Sequence, residues 1–159
     1  MEKIKLTQLG SVAERVLNRL PDKKESAVLI ALSGELGAGK TTFVQALGRA
    51  LGVKEPMQSP TYVLMKSYPI NYPSNSLGAG KHFTRLIHID AYRLASAKEF
   101  AALKPELFLK DPANIVCIEW PERVEGALPT PDITLNFSSD LPQGVAGGAS
   151  EEERYITFY

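Results

Sequence analysis

Cysteine is almost missing from this chain: Cys117 stands alone among 159 residues. A single thiol excludes an internal disulfide framework. Long hydrophobic runs are missing too. The longest, Ala27 to Leu32, has six residues, far short of the ~20 that a helix needs to cross a bilayer. The opening Met1-Glu-Lys-Ile-Lys-Leu6 lacks the apolar core of a signal peptide. Net charge is also absent, with 18 basic against 18 acidic residues. A protein that grips nucleic acid alone is usually basic, because phosphate neutralisation supplies most of the affinity. Any role on a nucleic acid therefore calls for a partner that holds the polymer. The two histidines, His82 and His88, join no cluster of Cys, Asp or Glu at ligand spacing, so nothing predicts a zinc site. Together these absences predict a cytoplasmic protein with no membrane partner, folded as a single domain over 1–159.

What is present is concentrated early. Gly34-Glu-Leu-Gly-Ala-Gly-Lys-Thr-Thr42 directly follows the apolar run Ala27–Leu32. This is a complete G-x-x-x-x-G-K-[ST] phosphate loop, with strand character before it and helix character after it. Its glycines permit a tight turn that points successive N–H groups into one concavity. The helix that opens at Lys40 adds its N-terminal dipole to the same anion site. In this pattern Lys40 reaches the outer phosphates and the Thr41 hydroxyl sits on Mg²⁺.

The other elements follow from periodicity. Lys3–Leu6 alternates like an edge strand, and Val12, Val16, Leu17 and Leu20 recur at helical spacing before Pro21. A helix over Lys40–Leu51 stops at Gly52. Thr61–Tyr68 reads as a strand, and 69–82 as a long loop that joins a hairpin. Leu86–Ile89 and Ile115–Ile118 are compact apolar strands, and Ser96–Leu103 is a short helix ended by Pro105. Ile133–Phe137 and Tyr155–Phe158 are late strands, separated by the glycine-rich stretch 142–150, which composition predicts to be mobile. Gly78-Ala-Gly-Lys81 echoes the phosphate loop but lacks its spacing and is loop composition. The order predicts an α/β fold of the P-loop NTPase kind: a mixed sheet with a parallel centre, flanking helices and late antiparallel strands.

Hydrolysis needs a carboxylate near the metal and a group that positions water. Two apolar strands end in an acid, at Asp90 and at Glu119. In open α/β sheets ligands bind beyond the carboxyl ends of the strands, so both acids fall at the phosphate rim. Each also fits a plainer reading as a cap of the following turn. Ser59 and Thr61 flank Pro60, either as a switch-like pair that senses the nucleotide or as a Ser-Pro turn. Trp120 is a packing anchor or a stacking platform. Cys117 is core. His88 alternates against Ile87 and Ile89 and faces the opposite side of the sheet.

Four motifs in order are similar to the TsaE family: Gly34-Glu-Leu-Gly-Ala-Gly-Lys-Thr-Thr42, Ser59-Pro-Thr-Tyr62, His88-Ile-Asp-Ala-Tyr-Arg-Leu94 and Ile118-Glu-Trp-Pro-Glu122. The resemblance spans roughly Val12 to Phe137. It implies a bacterial ATPase of tRNA threonylcarbamoyladenosine biosynthesis. Its partners would be TsaD and TsaB, which place the threonylcarbamoyl group beside the anticodon of tRNAs reading ANN codons; the tRNA would be met through them. It implies ATP and Mg²⁺ as cofactors. It makes Glu35, Leu36, Gly37, Ala38, Gly39, Lys40, Thr41 and Thr42 the ATP loop, with Thr41 and Glu119 on the metal. Asp90 becomes a second catalytic and metal-side acid, Ser59 and Thr61 switch-like groups, and Trp120 part of the nucleotide site. Thr7 or Gln8 falls near the adenine. The stretch 71–84 is longer than the family's usual connection.

The main rival is a small-molecule kinase, which Thr41 and Asp90 would serve equally well. Such kinases close an arginine-bearing lid over the phosphate, whereas Arg85, Arg93, Arg123 and Arg154 are scattered. No Asn-Lys-x-Asp segment supports a GTPase. A nucleotide-gated adaptor without turnover is a third reading.

Overall fold

A computed structural model describes residues 1–23, 25–71, 82–139 and 153–159. The predicted 142–150 stretch, most of the long loop and the Gly78–Lys81 echo lie outside the described residues. The strands are β1 (Glu2–Lys5), β2 (Val28–Gly34), β3 (Met65–Pro69), β4 (Arg85–Asp90), β5 (Asn114–Glu119), β6 (Ile133–Ser138) and β7 (Glu153–Phe158). The helices are α1 (Leu9–Arg19), α2 (Lys40–Ala50), α3 (Ala97–Ala101) and α4 (Glu106–Leu109). The strands form a seven-stranded sheet in the order β1-β7-β6-β2-β5-β4-β3. β2 runs parallel to β5 and β6, and β4 parallel to β5. The additions at both edges, β3 on β4 and β7 and β1 beyond β6, are antiparallel. Of the two late strands only β7 is antiparallel; β6 extends the parallel centre.

The central strands are apolar on both faces, as strands covered on both sides must be. On one face Val28, Ile30, Leu32, Leu86, Ile115 and Cys117 pack with α1 and α2. On the other Leu29, Ala31, Ile87, Ile89, Val116 and Ile118 pack with Phe100 of α3 and Phe108 of α4. α1 begins a turn before its predicted first contact, because Leu9 joins Val12, Ala13, Val16 and Leu17 on the buried stripe. α2 ends at a left-handed Gly52, φ +71°, whose N–H closes on the Arg49 carbonyl. Farther back on α2, Gly48 makes room for Met57: a Cβ at Gly48 would lie 2.1 Å from the methionine sulfur. Gln45, one turn earlier, donates to the Met57 carbonyl at 3.0 Å. The segment leading to Ser59 is thus clamped to the flank of α2.

Two predicted elements need correction. The strand expected at Thr61 starts only at Met65. The amides of Val63 and Leu64 turn back onto the Pro60 carbonyl at 2.9 and 2.6 Å, and Leu64 is left-handed at φ +64°. The apolar side chains Val63 and Leu64 mimic a strand in the sequence, but the backbone spends its donors on a turn. The helix expected over Ser96–Leu103 is shorter, and Pro105 does not simply end it. The proline opens α4, where its missing N–H costs nothing. The expected hairpin across the long loop is present as the antiparallel pair β3–β4.

Candidate functional site

β2 delivers Gly34 to the rim of the sheet, and α2 starts six residues later. Gly34 pairs with Phe137 of β6 at φ +127°, and a Cβ there would stand 2.0 Å from the Phe137 carbonyl oxygen. Only glycine allows the strand to leave the sheet at that point. Gly39 is left-handed at φ +102° and precedes the first helical residue, Lys40. The Phe43 amide closes the first helical bond on the Gly39 carbonyl at 2.9 Å. The amides ahead of it are the unspent donors of a helix N-terminus.

This turn forms one wall of a cleft of about 260 Å³. Leu36, Gly37, Gly39, Lys40, Thr41 and Thr42 line it from the loop and helix, and Ser59, Thr61, Asp90, Glu119 and Trp120 from the sheet side. Most of the predicted site residues therefore converge, although they span the chain from 36 to 120. Three do not line the cleft. Ala38 is buried in the core under α1 and α2. Glu35 points away, its Oε1 accepting from the Ser138 hydroxyl at 3.1 Å and from the Ser139 amide and hydroxyl at 3.2 Å. Partial burial opposes ionisation of Glu35, but its own backbone amide and the Ser139 and Ser138 donors outweigh it and hold its carboxyl below the usual value. Thr7 is exposed in the 3₁₀ turn Leu6–Gln8, whose Leu6 side chain rests against Gly39.

Lys40 is 4% exposed. Its Nζ donates to the carbonyls of Gly34 at 2.6 Å and Glu35 at 2.8 Å, and lies 3.9 Å from the centre of the Trp120 ring. Burial lowers its pKa from 10.5; the nearby Glu119, Glu122, Asp90 and Glu35 charges oppose that shift without cancelling it. Trp120 reaches this position through a left-handed backbone, φ +60°, anchored by its N–H on the Leu32 carbonyl at 3.1 Å. Tyr92 leans on Trp120 with ring centres 5.1 Å apart and also lines the cleft. In the sequence Tyr92 stands out only as part of the motif His88–Leu94. The signal available was its two-residue offset from a strand-ending acid.

The two acids are register partners at the ends of β4 and β5. The Thr41 hydroxyl donates to Glu119, at 2.8 Å from Oε1 and 3.0 Å from Oε2. Glu119 Oε1 also contacts His88 Nε2 at 2.7 Å. Asp90 accepts the Thr61 hydroxyl on Oδ2 and the Tyr92 amide on Oδ1, the latter at 2.9 Å. Thr61 has one hydroxyl proton and gives it to Asp90, so the Ser59 hydroxyl 2.6 Å away must donate to Thr61. Two relays of oxygen thus meet at one rim.

The donor set suits a hard cation. With its proton committed to Glu119, the Thr41 oxygen presents only lone pairs, beside carboxylate oxygens at the mouth of an amide-lined turn. Among the described residues no three His, Cys, Asp or Glu side chains gather as a metal cage. Magnesium does not require one, because it keeps waters and takes ligands from phosphates. The other singled-out residues are accounted for by packing. Cys117 is buried mid-strand, its thiol pushed up by burial and by the Glu119 charge. Arg93 stacks on the exposed Tyr62 ring at 4.5 Å, Arg123 on Tyr92 at 5.7 Å, and Arg85 donates to Ser67 at 2.8 Å.

A parallel-centred sheet, a glycine turn into a helix and a threonine–acid pair at the strand ends define a mixed α/β protein whose glycine turn carries the phosphate-loop sequence pattern. The model of the family described as "Threonylcarbamoyl adenosine biosynthesis protein TsaE" matches residues 5–144. The chain belongs to the TsaE family. It is 34% identical over 140 residues to the tRNA threonylcarbamoyladenosine biosynthesis protein TsaE of Streptomyces coelicolor, covering 87% of this chain and 84% of that one. Its identity to the TsaE of Haemophilus influenzae is 34% over 138 residues, covering 86% and 77%. Among solved structures, Bacillus subtilis YdiB superposes with a TM-score of 0.61 at 22% identity, over 99% of this chain and 84% of that one. That likeness supports the fold. Among the described residues no helix is long and apolar enough to cross a membrane.

Proposed function

We propose that this chain is the Mg²⁺-dependent ATPase subunit of the machinery that installs threonylcarbamoyl on the adenosine beside the anticodon of ANN-reading tRNAs. It acts in the cytoplasm on a TsaB–TsaD assembly and meets tRNA through that assembly. The pathway rests on family membership. The hydrolytic activity rests above all on one observation, the Thr41–Glu119 hydrogen bond that joins the phosphate-loop helix to a strand-ending acid. A balanced charge of 18 against 18 suits a subunit that is not the main holder of tRNA.

In this reading Lys40 exchanges its two carbonyl partners for phosphate oxygens, and Leu36–Thr42 supply the cradle. Trp120 and Tyr92 wall the cleft. Thr41 and Glu119 hold the metal, with Asp90 as the second acid. When bound, magnesium neutralises charge that develops on the phosphates. Ser59 and Thr61 keep Asp90 in one orientation and register what occupies the cleft. A small-molecule kinase remains the runner-up. Against it, no arginine among the described residues lines the cleft, whereas phosphoryl transfer to a metabolite calls for a cationic lid.

Phosphate release from ATP separates the readings when measured with the protein alone and with TsaB–TsaD added. Stimulation by the pair is the expected result. Phosphate transfer to a small metabolite, indifferent to the pair, would make the protein a kinase.

A further inference from the structure

His88 is the polar side chain of β4 that the site described above leaves without a task. It is fully buried, and the sequence surrounds it with Ile87 and Ile89. Its Nε2 lies 2.7 Å from Glu119 Oε1. A carboxylate only accepts, so this contact assigns the ring proton to Nε2. The other nitrogen, Nδ1, is buried with no partner among the described residues. An orphaned buried acceptor costs stability, and an apolar side chain in its place would avoid that cost. Packing therefore gives no reason for an imidazole here. The bond to Glu119 does.

That bond has a directional consequence. Oε1 receives both His88 and Thr41, at 2.7 and 2.8 Å, which uses its two lone pairs. Among the described residues, Oε2 receives only the longer 3.0 Å branch of the Thr41 contact. Without the imidazole the Thr41 contact, nearly even at 2.8 and 3.0 Å, would hardly distinguish the two oxygens. We propose that His88 is a positioning residue: it saturates one oxygen of Glu119 and leaves Oε2 as the oxygen available to cation or water. The arrangement parallels the partners that orient metal-ligating groups elsewhere, with the imidazole in the outer place. The inference rests on the metal-side role proposed for Glu119.

Three variants test it. His88→Leu removes the donor and fills the space. His88→Asn, whose amide stops near the Nδ1 position, removes the reach to Glu119 but stays polar, and stands in should the leucine variant not fold. His88→Gln restores an N–H at the Nε2 position. Each is measured for kcat and KM of phosphate release and, independently of turnover, for Mn²⁺ affinity in the presence of ADP by electron paramagnetic resonance. His88→Leu or His88→Asn should lower kcat and weaken Mn²⁺ binding by roughly ten- to a hundredfold, with KM changed by less than about threefold, and His88→Gln should recover most of both. In a Glu119→Gln background the histidine change should have no further effect. Unchanged Mn²⁺ affinity in the donor-free variants, a glutamine variant as impaired as leucine, or a full additional loss in that background would overturn the proposal. A parent protein that binds Mn²⁺ with ADP but releases no phosphate would instead overturn the ATPase reading, and the Mn²⁺ comparison would still decide the role of His88.

Discussion

Asp90 and Glu119 carry the same signature, an apolar strand that ends in an acid, and they face each other in register. Their surroundings differ. Glu119 is gripped by groups on regular elements, Thr41 at the start of α2 and His88 inside β4. Asp90 is gripped by loop groups: Thr61, which is itself tied to the exposed Ser59, and the Tyr92 amide. One carboxylate is held from a helix and a strand, the other from the turn and loop beside it. Equivalent sequence patterns therefore yield one acid held from regular elements and one held from loop groups.

The largest expected effect removes what the two acids share. Both charges bear on Lys40, and Lys40→Ala should weaken ATP binding by about a hundredfold or more, because a charge-assisted contact is lost and the phosphate charge is left unpaired. Calorimetry measures this. Near-parental affinity would detach the cleft from the nucleotide altogether.

The next test separates the acids. Glu119→Gln should reduce kcat by roughly a hundred- to a thousandfold, comparable to loss of one preorganised electrostatic group, while ADP affinity moves by less than about threefold. Asp90→Asn should cost roughly tenfold. Equal losses would erase the distinction between core-held and loop-held carboxylates. Thr61→Val isolates the loop further. It removes the donor to Asp90 with little change in volume, and should lower kcat by about three- to tenfold, with an unchanged response of Glu119→Gln to the same substitution. Strong coupling of Thr61 to Glu119 would show that the two relays act as one.

The smallest effect is electrostatic. Lys40 has its pKa depressed by burial. The unfolded chain therefore binds more protons between the folded value and 10.5, and stability should rise with pH across that window as the cost of the buried charge is relieved. Glu119 is the largest of the charges opposing that depression and Asp90 a smaller one. Glu119→Gln should lower the Lys40 pKa further than Asp90→Asn does, as read by lysine-selective NMR titration. The reverse order would contradict Glu119 as the stronger charge on Lys40.

Legibility in the sequence follows the range of the interactions. The phosphate loop was readable because its requirements are local: Gly34 must leave a strand, Gly39 must precede a helix, and Lys40 and Thr41 follow at fixed spacing. The parallel centre was readable because β2, β4 and β5 are apolar on both faces. Failures came where backbone bonding overrode side-chain pattern. Val63 and Leu64 look like strand residues but turn onto Pro60, and Pro105 opens a helix that composition alone read as a stop. Within the site, loop spacing treats Glu35, Ala38 and Lys40 alike, yet successive side chains point in different directions, so Glu35 turns to Ser138 and Ala38 to the core. The reach of His88 to Glu119 depends on two strands 31 residues apart. Alternation in β4 said which way His88 faces, not what it meets.

The close fit of Gly48 against Met57 has a mechanical corollary. The helix whose first turn carries Thr41 is riveted, two turns along, to the stretch of chain that leads into Ser59 and Thr61. The rod that carries Thr41 at one end therefore fixes, through a residue with no side chain, where the chain toward the threonine that holds Asp90 sets out. Any side chain at Gly48 would have to push Met57 away, and with it the start of the stretch that places Ser59 and Thr61.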